Sequence, residues 1–244
     1  MRIVEVQGLS YKYGNEAVLD SITFSVEKGD LLGIVGPNGA GKTTLFNCML
    51  GLVRDYQGSI KLFGRDIRKE RRLLGKVGYL LQRNPIEKAF PASVADIVAL
   101  GLTAGSDDAK VEAALDTVGL LDLKQSRIGT LSGGQQQRVL IAKAIASGPE
   151  MLIMDEPITG IDLASQKNFY SLVRALNRKH GITIILALHD LEVVGNLANK
   201  LVCINRKMFY HGIPQKFFAN PNLLKQYSEA GMQAHMHLHG HGRQ

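Results

Sequence analysis

The segment Gly36-Pro37-Asn38-Gly39-Ala40-Gly41-Lys42-Thr43 sets glycines ahead of a lysine and a hydroxyl at the spacing G-x-x-x-x-G-K-[ST]. Glycine lets a loop bend until successive backbone N–H groups converge on one point, which is the geometry a phosphate group needs. The apolar run Leu31 to Val35 before the loop predicts a strand, and Lys42 to Leu50 after it predicts an amphipathic helix. A helix starting there adds roughly half a positive charge at its N-terminus. Lys42 is then placed to reach the β- and γ-phosphates of a nucleotide and the Thr43 hydroxyl to hold Mg²⁺, with Thr44 closing the contact stretch.

Downstream, Met151 to Met154 is a short apolar run ending in Asp155-Glu156. Carboxylates at the C-terminal end of a buried strand face the crevice where open α/β sheets bind ligands. Asp155 suits Mg²⁺, and Glu156 suits orienting and deprotonating an attacking water. Together with the phosphate loop, the pair points to a nucleoside-triphosphatase. Leu131-Ser132-Gly133-Gly134-Gln135 then opens a further helix, Gln135 to Ala146, with the small residues of a second phosphate-binding start. A chain with one phosphate loop has no γ-phosphate of its own left for this second grip, which points to a nucleotide held by a partner.

With the sequence LSGGQ at residues 131–135, the chain resembles the ABC ATPase family from Ile3 to about Tyr227, with the motifs in the expected order. The resemblance implies an α/β P-loop NTPase of ABC type. A RecA-like parallel sheet would carry an N-terminal antiparallel β subdomain and an inserted helical subdomain, about residues 85–147. It also implies ATP with Mg²⁺, Tyr13 stacked on adenine, and Gln82 at Mg²⁺ and the attacking water. Asp162 matches the loop that crosses a dimer seam, although Thr159-Gly160-Ile161 departs from the family's usual Ser-Ala-Leu. His189, after the run Ile182 to Leu188, matches the histidine that binds the γ-phosphate. Two copies would close head-to-tail, with Ser132, Gly133, Gly134, Gln135 and Asp162 acting in trans. A separate integral membrane permease would receive the work.

Those residues need a scaffold, and the pattern supplies one. Ile3 to Gln7, Ser21 to Val26, Ser59 to Phe63 and Lys76 to Leu81 read as strands. Ser93 can cap a helix through Gly101, and Asp107-Asp108 another through Val118. From Met151 onward strand and helix alternate, with helices at Ser165 to Lys179 and Asp190 to Ala198 and a last strand at Lys200 to Asn205, so the sheet is expected to be parallel.

With 244 residues the chain has room for one large α/β domain, taken as residues 1–230, and a polar tail, 231–244. No run reaches the roughly 20 apolar residues of a membrane span, and Met1 to Ser10 carries no secretory pattern, so the chain is expected to stay in the cytosol, and the resemblance implies a place at the cytoplasmic face of the membrane. The net charge of +7 is scattered, and its densest cluster, Arg65 to Arg72, reads as a solvated helix face; no nucleic-acid partner is expected. Cys48 and Cys203 read as small buried hydrophobes, and His180 and His211 as surface residues.

Phe90-Pro91-Ala92-Ser93-Val94, Asp155 to Asp162, and Cys203 to Gly212 resemble the ATPases of zinc and manganese importers. That resemblance implies a divalent-metal cargo and, indirectly, an extracytoplasmic metal-binding protein. The tail holds His235, His237, His239 and His241, four of the chain's 7 histidines, as candidate loose metal ligands. Importers of other substrates and soluble ABC modules, such as an iron–sulfur assembly factor, share the same ATPase motifs.

Overall fold

The computed structural model describes residues 1–81, 87, 89–103, 105, 107–158 and 162–229. In chain order the first elements are β1 (Arg2–Tyr13), β2 (Glu16–Glu27), β3 (Leu31–Val35), α1 (Lys42–Met49), β4 (Gln57–Leu62), β5 (Arg65–Asp66), β6 (Val77–Leu80), α2 (Val94–Ala99), α3 (Asp108–Thr117) and α4 (Gly133–Ile145). There follow β7 (Met151–Asp155), α5 (Leu163–Arg178), β8 (Thr183–Leu188), α6 (Leu191–Leu197), β9 (Lys200–Asn205), β10 (Lys207–Gly212), α7 (Pro214–Phe218) and α8 (Pro221–Glu229).

Two sheets form. An antiparallel one runs β2-β1-β4-β5, and a larger one runs β10-β9-β3-β8-β7-β6. In the larger sheet every pair from β9 to β6 is parallel, and only β10 turns back at the edge. β3, β7 and β8 are buried along their whole length, as central strands covered on both faces must be. Side chains alternate across the sheet. Leu32, Ile34, Met151, Ile153 and Ile185 pack toward α1 and the antiparallel sheet. Val35, Leu152, Met154, Ile184 and Leu186 pack toward the helices of the other face. This order places the C-terminal ends of β3, β8 and β7 side by side, so three loops far apart in sequence open onto one edge.

Between β6 and β7 the chain forms the helical layer of α2, α3 and α4. Ser93 caps α2 in a capping box with Asp96, and Asp107 caps α3 through the N–H of Lys110. The expected helices end a little early, at Ala99 and Thr117. Among the described residues no helix is long and apolar enough to cross a membrane.

The stretch Arg65 to Arg72 corrects the sequence reading, because it is not a helix face. Phe63 and Gly64 both have positive φ, 52° and 80°, and turn the chain so that Arg65 pairs with Leu62 in a short hairpin. Its charges are tied locally, Arg65 to Glu70 at 2.8 Å and Arg68 to Asp66 at 3.3 Å. The sequence reading also passed over β10, α7 and α8, although Pro214 and Pro221 each open a helix, where a missing N–H costs nothing. Both cysteines are buried and free, and burial pushes the Cys48 thiol up to about 12.

Candidate functional site

The loop after β3 is shaped by steric limits at its glycines. A Cβ on Gly36 would lie 2.4 Å from the carbonyl oxygen of Ile204, and one on Gly41 would lie 2.8 Å from that of Val18. Gly41 also holds φ at 96° as the N-cap of α1, a region that side chains disfavour. It offers no side chain to cap the helix, and no acidic residue sits in the first turn. The first N–H groups of α1 therefore face the mouth of the loop, as an anion requires.

Lys42 is buried beneath this loop. Its Nζ donates to the carbonyls of Gly36 at 2.8 Å and Pro37 at 3.1 Å, and lies 3.2 Å from Glu156 Oε1. The second oxygen of Glu156 meets His189 Nε2 at 2.7 Å. Lys42, Glu156 and His189 thus form one chain of contacts from the end of β3, past the end of β7, to the end of β8. Glu156 holds φ at 45°, a left-handed value for a residue with a Cβ, which costs on the order of 1–2 kcal/mol.

Asp155 ends β7 on the α1 face of the sheet and is only 2% exposed. Burial pushes its carboxyl above the usual carboxylate range, against a hydrogen bond from Thr43. Its Oδ1 has no hydrogen-bond partner among the described residues. An anionic oxygen buried without a donor, beside a threonine hydroxyl, is the donor set a hard divalent cation accepts. The residues present therefore fit Mg²⁺, held by Thr43 and Asp155.

Val18, residues 38–44, Glu156 and His189 line one open depression of about 430 Å³. Asn38, Gly39, Ala40, Gly41, Lys42, Thr43 and Thr44 come together there as the sequence predicted. Val18 was missed, since only the register of the β1–β2 hairpin brings it to Gly41. Tyr13 sits at the tip of that hairpin, 78% exposed, and is not among the residues lining the depression.

Ser132, Gly134 and Gln135 line a different depression, with Arg138, Ser165, Asn168 and Phe169. Ser132 caps α4 in a capping box: its hydroxyl accepts from Gln135 N at 3.3 Å, and Gln135 Oε1 accepts from Ser132 N at 2.9 Å. Gly134 leaves room for α5, because a Cβ there would lie 2.6 Å from Ser165 Oγ. Asp162 caps α5 through Ser165 N at 2.9 Å, and the hydrogen bonds from Ser165 hold its carboxyl below the usual range. Leu163 beside it is 77% exposed. Within one chain the start of α4 does not share the depression of the phosphate loop. Gln82, Thr159, Gly160, Ile161 and the tail histidines His235, His237, His239 and His241 lie outside the described residues.

A glycine loop at a helix N-terminus, with a buried lysine beneath it and two carboxylates and a histidine beside it, defines a triphosphate-hydrolysing site on a parallel sheet. A family model described as "ABC transporter" matches residues 19–159, and the chain belongs to that family as its ATP-hydrolysing subunit. It is 40% identical over 226 residues to the zinc uptake system ATP-binding protein ZurA of Listeria innocua, covering 88% of each chain. It is 34% identical over 239 residues to the zinc import ATP-binding protein ZnuC of Pseudomonas putida, covering 98% of this chain and 89% of the relative. Among solved structures, an ATP-binding cassette of an ABC transporter in its ADP conformation matches with a TM-score of 0.82 at 25% identity, over 93% of this chain and 99% of that one.

Proposed function

We propose that this chain powers an ABC importer of a divalent metal ion, zinc first and manganese second, through a separate membrane permease at whose cytoplasmic face it sits. The observation that carries the cargo is the similarity, over 88% and 98% of this chain, to ATPases named for zinc uptake and zinc import. The same similarity favours an importer over a soluble iron–sulfur assembly module.

The mechanism is phosphoryl transfer to water by positioning and electrostatics. The loop amides and Lys42 hold the phosphates. Thr43 and Asp155 would hold Mg²⁺, which would supply charge neutralisation to the phosphates. Glu156, aimed between Lys42 and His189, takes the proton of the attacking water, and His189 fixes the terminal phosphate in line. Gln82 completes the water site, and Tyr13 stacks on the adenine once ATP is seated. The separation of Ser132 from the loop of its own chain supports a head-to-tail dimer. Each dimer site takes Ser132, Gly133, Gly134, Gln135 and Asp162 from the second copy, and hydrolysis releases that grip. The tail histidines His235, His237, His239 and His241 act as loose ligands for the transported metal, which an extracytoplasmic binding protein delivers to the permease.

The test is ATP turnover by the full chain on its permease in vesicles, with the binding protein loaded with zinc, manganese or no metal. Zinc-loaded protein should stimulate most. Stimulation by a non-metal substrate, with neither metal active, would refute the cargo.

A further inference from the structure

The carbonyl of His189 lies one residue outside α6. Asp190 is the N-cap, and its carbonyl accepts the first helical bond, from Val194 N at 3.1 Å. The His189 carbonyl is met by the hydroxyl of Tyr227, which donates to it at 3.3 Å across 38 residues of chain. Tyr227 is fully buried on α8. Its ring packs edge-on to Phe217, with centroids 6.1 Å apart, and Phe217 in turn meets Tyr210 and Phe218. Burial raises the pKa of this phenol, so it stays protonated and able to donate.

A ring enclosed in this way fixes its hydroxyl firmly. The side chain of His189 is not enclosed: it is 46% exposed and bonded to Glu156. The reach of the imidazole therefore depends on where its main chain is held.

We propose that Tyr227 is a positioning residue for ATP hydrolysis, its hydroxyl anchoring the His189 main chain so that the imidazole meets Glu156 and the terminal phosphate in register. The inference makes α8 part of the hydrolytic apparatus, although none of its residues lines the depression at the phosphate loop. It rests on the reading of His189 as the residue that holds the terminal phosphate.

The test is steady-state ATP turnover by the full chain carrying Y227F. Displacing a reacting group by about 1 Å costs on the order of 100-fold. A loosened anchor displaces it less, so kcat should fall about 3- to 10-fold with KM for ATP within about twofold. Placing 4-aminophenylalanine at 227 restores a donor and should restore kcat. Placing 4-fluorophenylalanine there fills the space without donating and should match Y227F, which separates the hydroxyl from the packing. In an H189A background Y227F should change the residual rate by less than about 1.5-fold, since coupled residues are not additive.

Wild-type kcat in both Y227F and the fluoro chain would overturn the inference, as would an equal loss with and without His189. Full activity of H189A alone would instead overturn the underlying reading of His189.

Discussion

Replacing Asp155 with asparagine should make the nucleotide-free chain more stable and the enzyme inactive. The reason lies in the burial of Asp155, with Oδ1 lacking a donor among the described residues and Thr43 supplying one hydrogen bond. Because burial raises its pKa, the folded chain binds this proton more tightly than the unfolded chain does. Stability is then fullest below the unfolded value of Asp, declines as pH rises through the window up to the raised folded value, and stays reduced at neutrality. A buried acceptor without a partner costs about 1–3 kcal/mol. An amide keeps an oxygen for Thr43 and removes the buried charge, which outweighs the unpaired Nδ2–H it introduces, so D155N should recover about 1 kcal/mol. In a chain of this length that raises Tm by about 2–4 °C.

Ligand reverses the ranking. Mg·ATP at 100 times its Kd stabilises the wild type by about 2.7 kcal/mol, or roughly 5–10 °C. D155N should lose most of the part that depends on Mg²⁺. Thermal denaturation of both chains at pH 7, with and without ATP and with Mg²⁺ or EDTA, gives all the required values. A lower Tm for nucleotide-free D155N, or an undiminished Mg²⁺-dependent shift, would refute the assignment of Asp155 as the cation's carboxylate.

E156Q keeps the bulk of Glu156 and removes its basicity, so turnover should fall about 10²- to 10⁴-fold while ATP drives a lasting dimer seen by size exclusion; near-normal turnover would remove Glu156 from the role of base. S132R loses the cap of α4, worth about 1 kcal/mol, and blocks the face offered to a partner. Hydrolysis should vanish while ATP still binds the monomer, and loss of both together would count against action in trans.

The sequence made the phosphate loop legible because chemistry dictates both residue type and spacing there, and a strand and a helix had to flank it. Asp155, Glu156 and His189 were legible one at a time, each at the end of an apolar run. Their junction was not: it requires β3, β7 and β8 to lie side by side, and strand order is not written in local periodicity. Val18 and Tyr227 reach the site through a hairpin register and an aromatic cluster, signals that no short window contains. Arg65 to Arg72 was misread because the charges looked helical while Phe63-Gly64 turned the chain. Ser132, read as a phosphate grip, sits within the single chain in a capping box, its hydroxyl accepting from Gln135 N.

The left-handed backbone at Glu156 has one further consequence. Consecutive residues of a flat strand look in opposite directions, so an Asp-Glu pair at the end of β7 would ordinarily split its acids between the two sides of the sheet. The twist at residue 156 brings the second acid to the mouth of the phosphate loop, between Lys42 and His189. A branched side chain such as valine or isoleucine would be refused there on shape alone, before charge was ever considered. Position 156 is therefore constrained twice, once by the proposed activation of water and once by the corner it must turn.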